Sequence, residues 1–130
     1  MKKVGIVGIN LDQLMSSHGK SALDKSGNNF GNMLFTNAAH QQIKDAESVG
    51  FNWDPSVVKE KYSSLFIPAA NWINTKQDWG ALGELIEKTG IPCTVVGLGA
   101  QINSLKDVPN IPLGTKLFLT TISNKCHSIG

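Results

Sequence analysis

The chain predicts a Rossmann-like α/β layered fold, with a small parallel sheet flanked by helices, in one domain over residues 1–130. Three observations carry this reading. A β-branched apolar run, "KVGIVGI", opens the chain, and similar runs recur at residues 64–69 and 92–98. Segments with helical apolar spacing separate these runs. Strands that alternate with helices join through crossovers, which lay neighbouring strands parallel.

Each element has its own signal. Residues 3–9 suit a strand buried on both faces. A polar segment, residues 10–31, follows, and it exceeds the usual loop length of a compact domain. Phe35, Ala39, Ile43 and Ala46 then recur at helical spacing beside Ala38, predicting a helix over 32–48 with Gly50 past its end. Asp54 and Pro55 supply an N-cap and a first-turn proline for a short helix carrying Val57, Val58 and Tyr62. The second strand falls at 64–69. Thr75 and Asp78 form a capping pair before a helix with the stripe Trp79, Leu82, Leu85 and Ile86, closed by Gly90 and Pro92. "PCTVVGL" reads as the third strand. A proline-punctuated loop leads to a last helix marked by Leu117, Phe118, Thr121 and Ile122, ending near Lys125. "CHSIG" stands where a fourth strand should begin, so the chain reads as the front portion of a larger protein.

Composition removes several function classes. Twelve lysines balance ten acids to a net charge of +2 and are scattered along the chain, which leaves no electrostatic footprint for nucleic acid. There is no arginine, so a planar bidentate clamp on carboxylate or phosphate cannot be built. The opening "MKKVGIVGIN" has too brief an apolar stretch for a secretory leader, no run reaches the length of a membrane span, and a cytoplasmic location is expected. Cys93 and Cys126, with no disulfide framework around them, are expected to be buried and reduced. His18, His40 and His127 lie far apart, and the adjacent Cys126-His127 pair lacks ligand spacing, so no metal site is expected.

The polar loop contains Gly19, Lys20 and Ser21, the end of a Walker A pattern, but Leu14 holds the position of its first glycine. Backbone cannot approach phosphate closely there, and Gly27, Asn28 and Asn29 would break the helix that must follow. The P-loop reading therefore fails. "GLGAQI" has two glycines of a dinucleotide fingerprint and lacks the third. Gly97 and Gly99 mark either a backbone approached by ligand or a tight turn. In "NNFGNMLF", Gly31 and Asn32 stand at a helix start, where free N–H groups receive a phosphate, a carboxylate or a polar sugar, or where Asn32 is the N-cap. Trp72, just after a strand, could platform a sugar, whereas the helical stripe assigns Trp79 to the core.

Asparagine placement is the collective signal. Of eleven asparagines, eight (Asn10, Asn28, Asn29, Asn32, Asn71, Asn74, Asn103 and Asn110) follow the predicted strands, and Gln101 joins them. In an open α/β sheet these segments share the carboxyl edge, where ligands bind. Amide donors and acceptors suit a hydroxyl-rich ligand better than a strongly anionic one.

The stretches "NNFGNMLFTNAAHQQI", "LFIPAANWI", "PCTVVGLGAQ" and "LFLTTISNKCHSIG", in this order, resemble the polysaccharide pyruvyl transferase family from about Gly27 onward. The resemblance implies the first half of a two-domain, glycosyltransferase-like architecture. Its members move the enolpyruvyl group of phosphoenolpyruvate onto sugar hydroxyls, forming a pyruvate ketal in cell-surface polysaccharide. Asn29 and Gly31 match the family's Asn-x-Gly-Asp/Asn turn, and Asn32 stands where many members carry Asp. Gly97, Gly99 and Gln101 match its glycine-rich turn. Substrate contacts are thus expected from Asn29, Gly31, Asn32, Asn71, Gly97, Gly99 and Gln101. Phosphoenolpyruvate is the implied donor, with no further cofactor, and a sugar or polysaccharide is the acceptor. Catalytic residues are expected in a carboxy-terminal domain, so this chain alone should be inactive. A nucleotide-sugar glycosyltransferase half-domain and a non-catalytic sugar-binding module are the alternatives.

Overall fold

The computed structural model describes residues 1–9 and 30–130. The first strand, β1 (Lys3–Ile6), is followed by α1 (Phe30–Gln42), β2 (Ala46–Ser48), α2 (Pro55–Lys61) and β3 (Tyr62–Pro68). Then come α3 (Gly80–Thr89), β4 (Cys93–Val96), a 3-10 turn (Leu105–Asn110), α4 (Leu113–Lys125) and β5 (Cys126–Ile129). The strands form one sheet, parallel throughout, in the order β2-β1-β3-β4-β5. The layered α/β architecture is the one the sequence predicts. The order runs outward from β1 to β2 and then reverses to β3, and at such a reversal the loops leaving neighbouring strands part and open a crevice.

Five strands form where three were expected, with the start of a fourth at "CHSIG". The helix predicted over 32–48 stops at Gln42, Asp45 takes a left-handed φ of 58°, and the chain turns into β2. Ala46, Glu47 and Ser48 carry no strand signature of their own. They are extended because β1 offers a free edge, pairing Val4 with Ala46, Gly5 with Glu47 and Ile6 with Ser48. Partner and packing here outweigh local preference. At the other edge, "CHSI" forms β5 against β4.

The helix signals mostly hold. The Asp54 carboxylate accepts from the Ser56 N–H at 2.8 Å, with Pro55 in the first turn of α2, but Tyr62, expected in this helix, is extended and opens β3, where it pairs with Lys3. Asp78 accepts from the Gly80 N–H at 2.8 Å at the start of α3, whereas Thr75 makes no capping bond. Gly90 closes α3. Helix α3 packs against both α2 and α4. Alternate strand residues Leu65 and Ile67 of β3 and Cys93 and Val95 of β4 meet Val58, Leu82, Ile86, Phe118 and Ile122 in one buried cluster. Each such aliphatic or aromatic side chain contributes about 1.5–3 kcal/mol.

One cysteine expectation is overturned. Cys93 is buried as expected, but it is bonded to Cys126, its register partner on β5, in a disulfide with a Cα–Cα distance of 4.7 Å. Pairing of the two strands brings the thiols together across 33 residues of sequence. Among the described residues, no helix is long and apolar enough to cross a membrane.

Candidate functional site

The chain leaves β3 through Ala69 and Ala70 and reverses at Asn71, whose φ is 60°. Asparagine tolerates this left-handed conformation better than most residues. The reversal sends Trp72 inward, where it is 6% exposed, and leaves the Asn71 amide outside. Trp72 stacks on Trp79 at 4.2 Å between ring centroids, 15° from parallel, and the Trp79 indole N–H donates to the Trp72 carbonyl at 2.8 Å. The sugar-platform reading of Trp72 is thereby corrected: its faces are occupied by protein, with Phe51 and Phe118 also against it.

This stack closes the loop between Asn71 and Trp79, and Asn74 organises its interior. The Asn74 Oδ1 accepts from the N–H groups of Lys76 and Gln77, both at 2.9 Å, and its Nδ2 donates to the Gln77 Oε1 at 2.9 Å. The buried Thr115 hydroxyl of α4 donates to the Gln77 carbonyl at 2.8 Å and accepts from the Trp79 N–H at 3.2 Å. Past the strand ends, Ile73 and Ala100 form an isolated parallel bridge that ties this loop to the segment leaving β4. The following 3-10 turn is held by a capping box, in which Ser104 accepts from the Lys106 N–H and Asp107 from the Ser104 N–H.

Together these segments and the first turn of α1 enclose a cavity of about 730 Å³ at the carboxyl edge of the sheet. Its lining includes Asn32, Asn71, Asn74, Gln77, Gln101, Asn103 and Asn110. Every described asparagine that the sequence assigned to the strand exits therefore lies on one cavity. The Asn74 amide and the Gln77 Oε1 are used within the protein. The side-chain amides of Asn71, Gln101, Asn103 and Asn110 have no protein partner among the described residues and are available to a ligand. Among the described residues two charged groups line the cavity, Lys76 and Asp107.

Of the expected site residues, Asn32, Asn71 and Gln101 meet here, while Asn29 and the Gly19–Lys20–Ser21 stretch lie outside the described residues. Asn32 is the third residue of α1 and so not its N-cap. Gly31, Gly97 and Gly99 do not line the cavity. At Gly97 the backbone φ is 68° and an added Cβ would come within 3.0 Å of the Phe35 ring, so a turn packed under α1 accounts for this glycine. Gly99 lies behind Asn71, its carbonyl accepting from the Ile73 N–H at 3.1 Å. Thr75, Lys76, Gln77, Ile102 and Asp107 are linings that the sequence reading did not select. Among the described residues no group of three or more His, Cys, Asp or Glu is placed to hold a metal ion.

A doubly wound α/β domain with an amide-lined cleft at its strand ends is the class these features define. Comparison of the chain with family models, curated proteins and solved structures finds no match in any of the three.

Proposed function

We propose that this chain is the amino-terminal domain of a polysaccharide pyruvyl transferase and supplies the acceptor-sugar wall of its cleft. One observation carries the reading: four uncommitted side-chain amides, Asn71, Gln101, Asn103 and Asn110, face one cavity. An amide donates and accepts side by side, as a sugar hydroxyl does, so such a wall matches a polyol at many points without fixing charge. The sequence resemblance supplies the donor, phosphoenolpyruvate.

In the reaction, the donor's methylene carbon gains a proton and a sugar hydroxyl adds to the neighbouring carbon, losing its own proton. A second hydroxyl then displaces inorganic phosphate, closing the cyclic ketal. Proton transfer needs a general acid and a base, and the phosphate needs cationic partners. Among the described residues the one carboxylate on the cavity, Asp107, accepts the Ser104 N–H in the 3-10 turn, and this reading assigns the acid, the base and the cationic partners to a further domain. The chain's own part is to hold and orient the acceptor. A cytoplasmic setting is where donor and sugar precursors would meet.

The test uses the complete gene product with phosphoenolpyruvate and candidate saccharides, following phosphate release and the ketal methyl resonance. Formation of both products supports the reading, and this chain alone should give neither. Transfer from a nucleotide sugar instead would identify a glycosyltransferase half. Saccharide binding without turnover by the complete product would identify a non-catalytic module.

A further inference from the structure

We propose that Lys76 is the ligand-anchoring cation of the cleft and that the ligand is an acidic saccharide, a polyol carrying one negative charge. The inference deepens the sugar-cleft reading and rests on it.

Most charges near the cleft are already engaged. Asp107 accepts the Ser104 N–H at 3.1 Å and so belongs to the 3-10 turn. Asp78, next in the loop, accepts the Gly80 N–H at 2.8 Å at the start of α3. The Lys76 ammonium has no protein partner among the described residues. Lys3 and Lys61 are engaged on Glu47, Lys88 on Glu84 and Lys125 on Glu87, while Lys44, Lys59 and Lys106 do not line the cavity.

The Lys76 backbone is held even though its head is free. Its N–H donates to the Asn74 Oδ1 at 2.9 Å, the next N–H donates to the same oxygen, and the Gln77 carbonyl is bonded to buried Thr115 of α4. A cation rooted at a fixed backbone position therefore borders a wall of neutral amides. Amides select hydroxyls, and one ammonium selects one anionic substituent, either a carboxylate on the sugar or a phosphate ester. Without arginine in the chain, recognition of that group is by point charge rather than by a planar fork.

Binding to the 130-residue chain is measured by calorimetry and amide-resonance shifts. The probes are a neutral gluco-oligosaccharide, an oligosaccharide of equal length containing one glucuronic acid, and glucose 6-phosphate against glucose. Proteins are the wild type, Lys76→Gln, and Lys44→Gln as a control remote from the cavity lining. The expected result is that an anionic probe binds about fivefold more tightly than its neutral counterpart, the upper range for an exposed ion pair. That advantage should disappear in Lys76→Gln, persist in Lys44→Gln and shrink as salt is added. Preference for the uronate or for the phosphate identifies the anionic group, and either supports the proposal. Equal binding of neutral and anionic probes, or an advantage that survives Lys76→Gln, overturns it while leaving the sugar cleft standing. Binding of no saccharide at all overturns the sugar-cleft reading and this proposal together.

Discussion

The backbone N–H of Gln101 donates to the Ile73 carbonyl at 2.8 Å, beyond the last residues of β3 and β4. Ile73 in turn donates to the Gly99 carbonyl at 3.1 Å, so the two loops that carry most of the cleft are one ladder step wide where they would otherwise part. A site mounted on such a bridge is held before any ligand arrives, which lowers the ordering cost of binding. The prediction concerns exchange: the amide hydrogens of Ile73 and Gln101 should be protected, and those of Ala100 and Asn103, which have no such bonds, should exchange fast. Equal, rapid exchange across residues 97–103 would show that the bridge does not persist in solution.

Two amides in the same cavity should behave differently on truncation. Asn74 spends its side chain on the N–H groups of Lys76 and Gln77 and on Gln77 Oε1, whereas the Gln101 side chain is uncommitted. Asn74→Ala should cost about 1–3 kcal/mol of stability and weaken saccharide binding by releasing the loop. Gln101→Ala should weaken binding with an unfolding midpoint within about 0.5 kcal/mol of wild type. Denaturant unfolding alongside calorimetric titration separates the two effects.

How much of this was legible in the sequence follows from the range of the forces involved. Asp54 with Pro55, Gly90 after α3 and the β-branched runs of β3 and β4 act within a few residues, and those elements form in the expected places, except that Tyr62 belongs to β3 and not to α2. β2 was not legible, since Ala46–Ser48 is extended only because Val4 and Ile6 lie beside it. The Cys93–Cys126 bond depends likewise on the register of β5 against β4. In the site, the asparagines were visible as a group because each strand exit carries them. Lys76 and Gln77 were not, because their position is set by the Trp72–Trp79 stack and by Asn74. Gly97 looked like a ligand contact but lies against Phe35 of a helix remote in sequence.

Helices α3 and α4 approach through two glycines that have no room for a methyl group. A Cβ on Gly114 would lie 1.8 Å from the Asp78 Oδ1, the oxygen that also accepts the Gly80 N–H. A Cβ on Gly83 would lie 3.2 Å from the Phe118 Cα, which is backbone and cannot swing away. Gly114→Ala should therefore cost about 1 kcal/mol by displacing the Asp78 carboxylate from the Gly80 N–H, and Gly83→Ala about 1–3 kcal/mol through separation of the helices. Thermal unfolding of both variants checks this, with Asp78→Ala,Gly114→Ala expected to lose no more than Gly114→Ala alone.

Reducing the Cys93–Cys126 bond restores freedom to an unfolded chain that was closed over 33 residues. The chain-entropy account puts the loss at about 3–4 kcal/mol. Cys93 is 1% exposed, so reductant should act slowly on the folded protein and rapidly once denaturant opens it. Urea unfolding with and without a strong reductant measures the difference, and coincident midpoints would mean the bond contributes nothing to folding.

Glu47 on β2 joins three other elements, and its titration should be visible in stability. The Lys3 ammonium of β1 contacts one carboxylate oxygen, while Lys61, at the end of α2, lies 2.6 Å from the other, to which the Tyr62 hydroxyl of β3 donates at 3.3 Å. The two ammonium groups, Lys3 first, hold the carboxyl down to about 2 from its ordinary value of 4.5. Because the folded value lies below the unfolded one, the unfolded chain takes up the proton first as pH falls. The stabilisation is therefore complete above pH 4.5, declines as pH drops toward 2, and is absent below it. Glu47→Gln removes this dependence: urea midpoints of the wild type should fall more steeply than those of the variant between pH 4.5 and 2, and the two should run parallel from 4.5 upward. Parallel curves through the acid range would show that the edge-strand ion pairs are too well solvated to couple to folding.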